Sequence, residues 1–200
     1  MIKAVIFDMG SVVLMDAKHY INKKIQATFH MNFKKIHSVM KKYLPDLQKD
    51  YIDVLTFWRR VCKDINVNIP DRVLKQIYLK QFIRRARPKK SMLSLIQQLK
   101  QHYKIGLISN TINDCYQHAL AQGWYDIFDV AIISVIVKLR KPERKIYELA
   151  LEKLCVKPYE AVIIDDEASF LVPAKKLGIY TIHFTSVKKL KQELKSLEVL

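Results

Sequence analysis

Two hydrophobic rhythms run along this chain. The first is a nearly unbroken apolar run, Ile2 to Phe7, closed abruptly by Asp8, Met9, Gly10 and Ser11. A continuous run of that length is the pattern of a strand buried on both faces. Four more such runs follow, at Lys104 to Ile108, Val130 to Ser134, Ala161 to Ile164 and Tyr180 to Phe184. The second rhythm is helical and fills the intervals. Ser91 is placed to cap a helix to about His102, with Met92, Leu95, Ile96 and Leu99 on one face. A second helix runs from about Asn113 to Gln122 and stops at Gly123. Pro142 suits the first turn of a third, whose apolar face is Ile146, Leu149, Ala150 and Leu154. A fourth begins near Ala168 and ends at Leu177-Gly178, and Lys188 to Leu200 reads as a short surface helix. Strands alternating with helices predict an α/β fold, a parallel sheet covered by helices on both faces.

Met15 to Pro88 breaks the alternation. No strand pattern occurs there, and the spacing predicts helices over Ala17 to Thr28, Phe33 to Tyr43, Asp53 to Asp64 and Asp71 to Arg85. Asp53 and Asp71 are the expected N-caps, and Leu55, Phe57, Trp58 and Val61 the buried face behind the first of them. The expected organisation is therefore a Rossmann-like core of residues 1–14 plus 89–200, with residues 15–88 inserted between the first two strands as a helical cap over the sheet's mouth.

Composition narrows the class. Of 200 residues 50% are hydrophobic, enough for a substantial core, but no run is long enough to span a membrane. The N-terminus lacks a leader pattern, and Cys62, Cys115 and Cys155 are scattered without metal-ligand spacing. These features predict a cytoplasmic protein without structural disulfides. The formal net charge is +16, spread in short pairs such as Lys23-Lys24, Lys41-Lys42 and Arg59-Arg60. Without interleaved aromatics such pairs read as a solvated surface rather than a nucleic-acid groove, although the field favours anionic small substrates.

The strand ends carry the candidate chemistry. Ligands of open α/β sheets sit beyond the carboxyl ends of the strands, where Asp8 stands; taken alone it is equally a turn or capping acid. Leu107-Ile108-Ser109-Asn110-Thr111 brings a hydroxyl to the same edge, Arg140-Lys141-Pro142-Glu143 a cation, and Ile164-Asp165-Asp166-Glu167 three adjacent acids. Acids crowded at a buried strand end repel one another and require a cation. A hard ion such as Mg2+ binds one or two carboxylates and fills its shell with water and substrate oxygens. Carboxylate, hydroxyl, lysine and metal converging on one point describe a site that handles a phosphoryl group.

These stretches, in this order, resemble the four motifs of the haloacid dehalogenase superfamily, which is dominated by Mg2+-dependent phosphohydrolases. The motifs are Phe7-Asp8-Met9-Gly10-Ser11-Val12, Ile108-Ser109-Asn110-Thr111, Arg140-Lys141-Pro142-Glu143 and Asp165-Asp166. The helical insert corresponds to the family's C1-type cap, and the chain is most similar to the branch that includes glucose-1-phosphate phosphatases. The resemblance implies that Asp8 is the nucleophile and forms an aspartyl-phosphate. Ser109 and the backbone amides around Gly10 and Asn110 would bind the phosphoryl group, and Lys141 would neutralise it and steady Asp8. Mg2+ would be held by Asp8, the carbonyl of Gly10 and Asp166, with Asp165 acting directly or through water. The expected substrate is a small phosphorylated metabolite such as a sugar phosphate.

Three positions depart from the pattern. Gly10 stands where the family's second motif I aspartate, the general acid and base, usually stands; such catalysis contributes about 10²–10⁴-fold. Phe170 stands where motif IV usually has a second Asp or Asn, and its helical face groups it with the core residues Leu171, Ala174 and Leu177. Lys138 lies in a loop where relatives often carry glycine. Gly10 and Phe170 together motivate the rival expectation, a catalytically weak or inactive relative that serves as a binding or regulatory protein.

Overall fold

A computed structural model describes all 200 residues. Five parallel strands, β1 (Ala4–Phe7), β2 (Lys104–Ser109), β3 (Val130–Ile133), β4 (Ala161–Asp165) and β5 (Tyr180–His183), form one sheet in the order β3-β2-β1-β4-β5. The strand order reverses at β1, so the loops leaving β1 and its neighbours part and leave a crevice at their carboxyl ends. The unbroken apolar run of β1 has a direct cause. Val5 and Phe7 pack into one cluster with Met92, Ile96 and Leu194, whereas Ala4 and Ile6 pack into another with Tyr147, Leu154 and Ala174. Alternate side chains of a strand face opposite ways, and both ways lead into core.

The helices that cover the first face are α6 (Lys90–Leu99) and α11 (Val187–Ser196), and those on the second are α9 (Arg144–Leu154) and α10 (Ala168–Lys176). α7 (Asn113–Ala121) and the short α8 (Ser134–Val137) follow β2 and β3. Gly106 permits the close seat of α9 on β2, since a Cβ there would lie 2.8 Å from Leu154 Cδ1. No helix is long and apolar enough to cross a membrane.

Between β1 and β2 lie α1 (Lys18–Phe29), α2 (Phe33–Gln48), α3 (Val54–Asp64), α4 (Asp71–Leu74) and α5 (Gln76–Arg85). They share a cluster built on Ile25, Ile36, Phe57, Trp58 and Ile77, which Ile112 and Cys115 of the sheet domain join from below. The two crossings into this block run side by side: Leu14 bridges Pro88, and Met15 N–H donates to the Arg87 carbonyl at 2.8 Å.

Several helix ends differ from expectation, each for a tertiary or local reason. α6 starts at Lys90, not at a Ser91 cap, because Lys89 is pinned to the first loop through its N–H to Val13 O and its Nζ to Ser11 O. Asp53 caps α3 as expected, accepting from Thr56 N–H at 2.6 Å, but Asp71 lies inside α4, its carboxylate taken by Arg59. The helix expected to run unbroken from Asp71 to Arg85 is divided at Lys75. α2 continues past Tyr43 through Pro45; the carbonyl this frees belongs to exposed Lys41, where water reaches it. Pro142 precedes α9 rather than opening it, because the main chain of Lys141 is held in the crevice, as described below. Lys138 does adopt the left-handed conformation that favours glycine, with φ +56° at the end of α8.

Candidate active site

The crevice is built around a lysine that water does not reach. Lys141 is fully buried, and its Nζ lies 2.6 Å from Asp8 Oδ1 and 2.5 Å from Asp165 Oδ2. Such a cation is tolerable only because two carboxylates share it. Asn110 sets its position: the amide donates to the Lys141 carbonyl at 2.9 Å and its oxygen accepts from Lys141 N–H at 2.8 Å. A reciprocal pair of this kind fixes the loop before α9 to the end of β2. Asn110 was expected to offer its backbone amide to a phosphoryl group; it does line the chamber, while its side chain is committed to the lysine's backbone. Ser134 ties the same loops from the other side, accepting from Thr111 N–H and donating to Thr111 O.

The three acids take different parts. Asp165, 1% exposed, uses Oδ2 on Lys141 and Oδ1 on the N–H of Glu167, so both oxygens are engaged. Asp8 uses only Oδ1, and Oδ2 faces the crevice, 3.8 Å from where a Cβ on Gly10 would lie. Asp166 is bound through Oδ2 to Lys18 Nζ at 2.6 Å. Ligand atoms of all three lie within 4.8 Å of one another, the spacing of a carboxylate metal site. Burial pushes the Asp8 carboxyl up to about 7; the Lys141 ammonium pulls against it, and Asp165 and Asp166 add to the rise. Burial works to lower the Lys141 ammonium, but Asp8 and Asp165 outweigh it and the net shift is upward. A crowded anionic cluster with a raised carboxyl is what a divalent ion would relieve, so the donor set fits one.

A chamber of about 410 Å³ opens on Asp8, with Gly10, Asn110, Asp166, Arg140 and Phe170 in its wall. Phe170 is thus not the core residue its helical face suggested. It occupies the first turn of α10, half-buried, its ring centroid 5.3 Å from Lys141 Nζ. It shields the lysine where a polar group was expected. Gly10 has φ −72° and room for a side chain, so no backbone demand imposes glycine there. Ser109, expected to bind the phosphoryl group, stands at the end of β2 and is 4% exposed.

Arg84, Arg85 and Arg87, considered as second anion contacts, are exposed outside the chamber; Arg85 lies over the Tyr20 ring. Two wall residues carried no sequence signal. Lys18 is one lysine among many until α1 delivers it to Asp166, and Gln48 meets Arg140 Nε at 2.9 Å only because α2 runs past Pro45. Trp58 is packing, fully buried against Phe29 and Tyr78.

Comparison with known proteins gives consistent results. A family profile described as haloacid dehalogenase-like hydrolase matches residues 2–178. Bifunctional epoxide hydrolase 2 of Mus musculus is 30% identical over 131 residues, 62% of this chain and 24% of that protein. A sesquiterpene phosphatase of Aspergillus oryzae is 27% identical over 113 residues, 56% of this chain and 58% of that protein. The chain therefore spans less than two thirds of the length of either relative. Among solved structures, a HAD family enzyme of Bacteroides thetaiotaomicron in complex with magnesium and inorganic phosphate superposes with a TM-score of 0.71, at 20% identity, over 92% of this chain and 95% of that one.

Proposed function

The chain belongs to the haloacid dehalogenase-like hydrolase family, and on that premise we propose that it is a Mg2+-dependent cytoplasmic phosphatase acting on a small phosphorylated metabolite. The observation that carries the reading is the asymmetric Asp8, one oxygen held by Lys141 and the other facing the chamber. A carboxylate so oriented is a nucleophile with a fixed direction of attack. Asp8 Oδ2 bonds to phosphorus as the ester P–O bond breaks, and the alcohol leaves with a proton from solvent. Water then attacks the phosphorus of the aspartyl-phosphate; inorganic phosphate departs and Asp8 is regenerated, one water being consumed per turnover.

Asp8, the carbonyl of Gly10 and Asp166 would hold the metal, which when bound supplies a divalent charge against the phosphoryl oxygens. Asp165, with both oxygens engaged, serves here to orient Lys141. Residues 15–88 act as the cap. Without an acid at Gly10 the leaving alcohol draws its proton from water, which predicts slow turnover of poor leaving groups rather than none. The rival reading, an inactive binding protein, is not favoured because the nucleophile and its lysine are intact. A phosphatase and a magnesium- and phosphate-bound enzyme among similar proteins support the same choice.

The test is steady-state hydrolysis of an aryl phosphate. Asp8→Asn should lower kcat by at least about 10³-fold, the scale on which loss of a nucleophile acts, with near-UV circular dichroism unchanged. Chelation should abolish turnover and added Mg2+ restore it. Full activity in Asp8→Asn would remove the nucleophile assignment.

A further inference from the structure

The chamber has a neighbour. Beside Gly10 and Asn110 lies a pouch of about 220 Å³ at the seam between the inserted helices and the sheet domain. Gly10, Lys18, Ile21, Leu44, Tyr78 and Asn110 border both spaces, so the two adjoin. No side chain at Gly10 projects between the two spaces, where a Cβ would meet nothing nearer than Asp8 Oδ2 at 3.8 Å.

The pouch itself is apolar. Leu14 comes from the loop after β1, Ile21 from α1, Leu44 from α2, Phe82 from α5, and Ile112 and Cys115 from the start of α7. Most of the polar side chains that reach it are engaged elsewhere; the Tyr78 hydroxyl and the Gln48 amide nitrogen are the exceptions, without a hydrogen-bond partner. Asn110 is paired with the Lys141 backbone, the Gln48 oxygen with Arg140, and Lys18 with Asp166. Ser11 donates to Asp16, and Thr111 to the Ile112 carbonyl. A polyol placed there would lose water from every hydroxyl and find only the Tyr78 hydroxyl and the Gln48 amide nitrogen to replace it, which is unfavourable. A hydrocarbon placed there gains for every group buried.

We propose that this pouch seats the alcohol portion of the substrate, which is a phosphate monoester of an apolar aliphatic or aromatic alcohol rather than of a sugar. The inference rests on the phosphatase reading: with phosphorus at Asp8 Oδ2, the ester oxygen leads past Gly10 into the pouch. The bonds made and broken are those already given, with the apolar alcohol as the leaving group.

Binding and turnover are measured separately. Non-hydrolysable alkyl phosphonates from methyl to octyl are titrated calorimetrically into the protein with Mg2+. Affinity should rise about fourfold per methylene, levelling once the pouch is full, and a sugar phosphonate of equal charge should bind no tighter than the methyl compound. In turnover, hexyl phosphate should exceed glucose 1-phosphate in kcat/KM by about tenfold or more. Ile21→Asn, a substitution at a half-buried position, should flatten the chain-length series; the wild-type series decides the matter if that variant folds poorly. A flat series, or tighter binding of the sugar phosphonate, overturns the pouch assignment even if every ester is hydrolysed. A rising series with no ester hydrolysed leaves the pouch standing and overturns the phosphatase reading instead.

Discussion

Two lysines meet carboxylates at the crevice over the same distance, and little else about them is alike. Lys141 lies 2.6 Å from Asp8 with side chains 1% and 10% exposed; Lys18 lies 2.6 Å from Asp166 with side chains 55% and 22% exposed. The first pair is anchored in the sheet domain, and Asn110 and Asp165 also hold its lysine. The second joins the inserted α1 to the loop after β4 and is washed by solvent. Distance alone therefore says little about what a pair contributes. Water screens the exposed one to near nothing, whereas the buried one cannot lose a member without stranding a charge.

Breaking the buried pair should have the largest effect. Lys141→Met leaves Asp8 and Asp165 facing each other without a counter-ion, which should cost about 3–5 kcal/mol in urea unfolding at neutral pH and remove measurable hydrolysis. A change below 1 kcal/mol would mean the site is wetter than its geometry indicates. Next comes the gap between the two pairs. Gly10→Asp places a carboxyl in the open wall beside Asp8, and kcat on methyl phosphate, whose alcohol is too short to need the space past residue 10, should rise by about tenfold, part of what general acid catalysis contributes. An unchanged kcat would show that proton supply does not limit turnover.

Breaking the exposed pair is expected to matter less to the fold. Lys18→Met should shift stability by no more than about 1 kcal/mol, read by the same urea titration; a loss of the Lys141 size would erase the difference between the two pairs. The smallest effect tests another exposed pair, Asp129 with Lys100. Burial raises the Asp129 carboxyl, but the N–H of Ile105 and Lys100 outweigh it, and the net shift is downward. A depressed carboxyl contributes stability that is present above its ordinary titration range and lost as pH falls through its lowered value. Melting temperatures of wild type and Asp129→Asn should therefore differ near pH 6 and converge only once the pH has fallen through the lowered Asp129 value, beneath the ordinary carboxylate range. A constant offset would assign the effect to packing rather than charge.

The strands were legible because each is apolar on both faces, and β1 shows the reason directly: Val5 and Phe7 enter one cluster while Ala4 and Ile6 enter another. Asp8, Asp165 and Asp166 were legible because each follows such a run, and Lys141 as a cation just ahead of a helix near the third crossover; the ends of parallel strands converge whatever the loops do. Helix starts were less so. Asp53 caps α3 through a bond confined to four residues, whereas Lys89 begins α6 because of contacts with Ser11 and Val13, far away in the chain. Phe170 was misjudged for a related cause. Periodicity assigns a face to a helix, but the first turn of α10 overhangs the strand ends, and there the apolar face meets Lys141 rather than core.

From its sequence alone this chain determined its sheet, its inserted helices and the identity of the acids and the lysine at the crevice. Those follow from local patterns that hydrophobic burial must satisfy in any α/β arrangement. Only the tertiary structure decided which carboxylate oxygen stays free, that Asn110 positions Lys141, that Lys18 reaches Asp166, and that the space beyond Gly10 is lined with hydrocarbon. Each of these depends on the relative placement of segments from 24 to 148 residues apart, and such placement is set by packing, which no local pattern records.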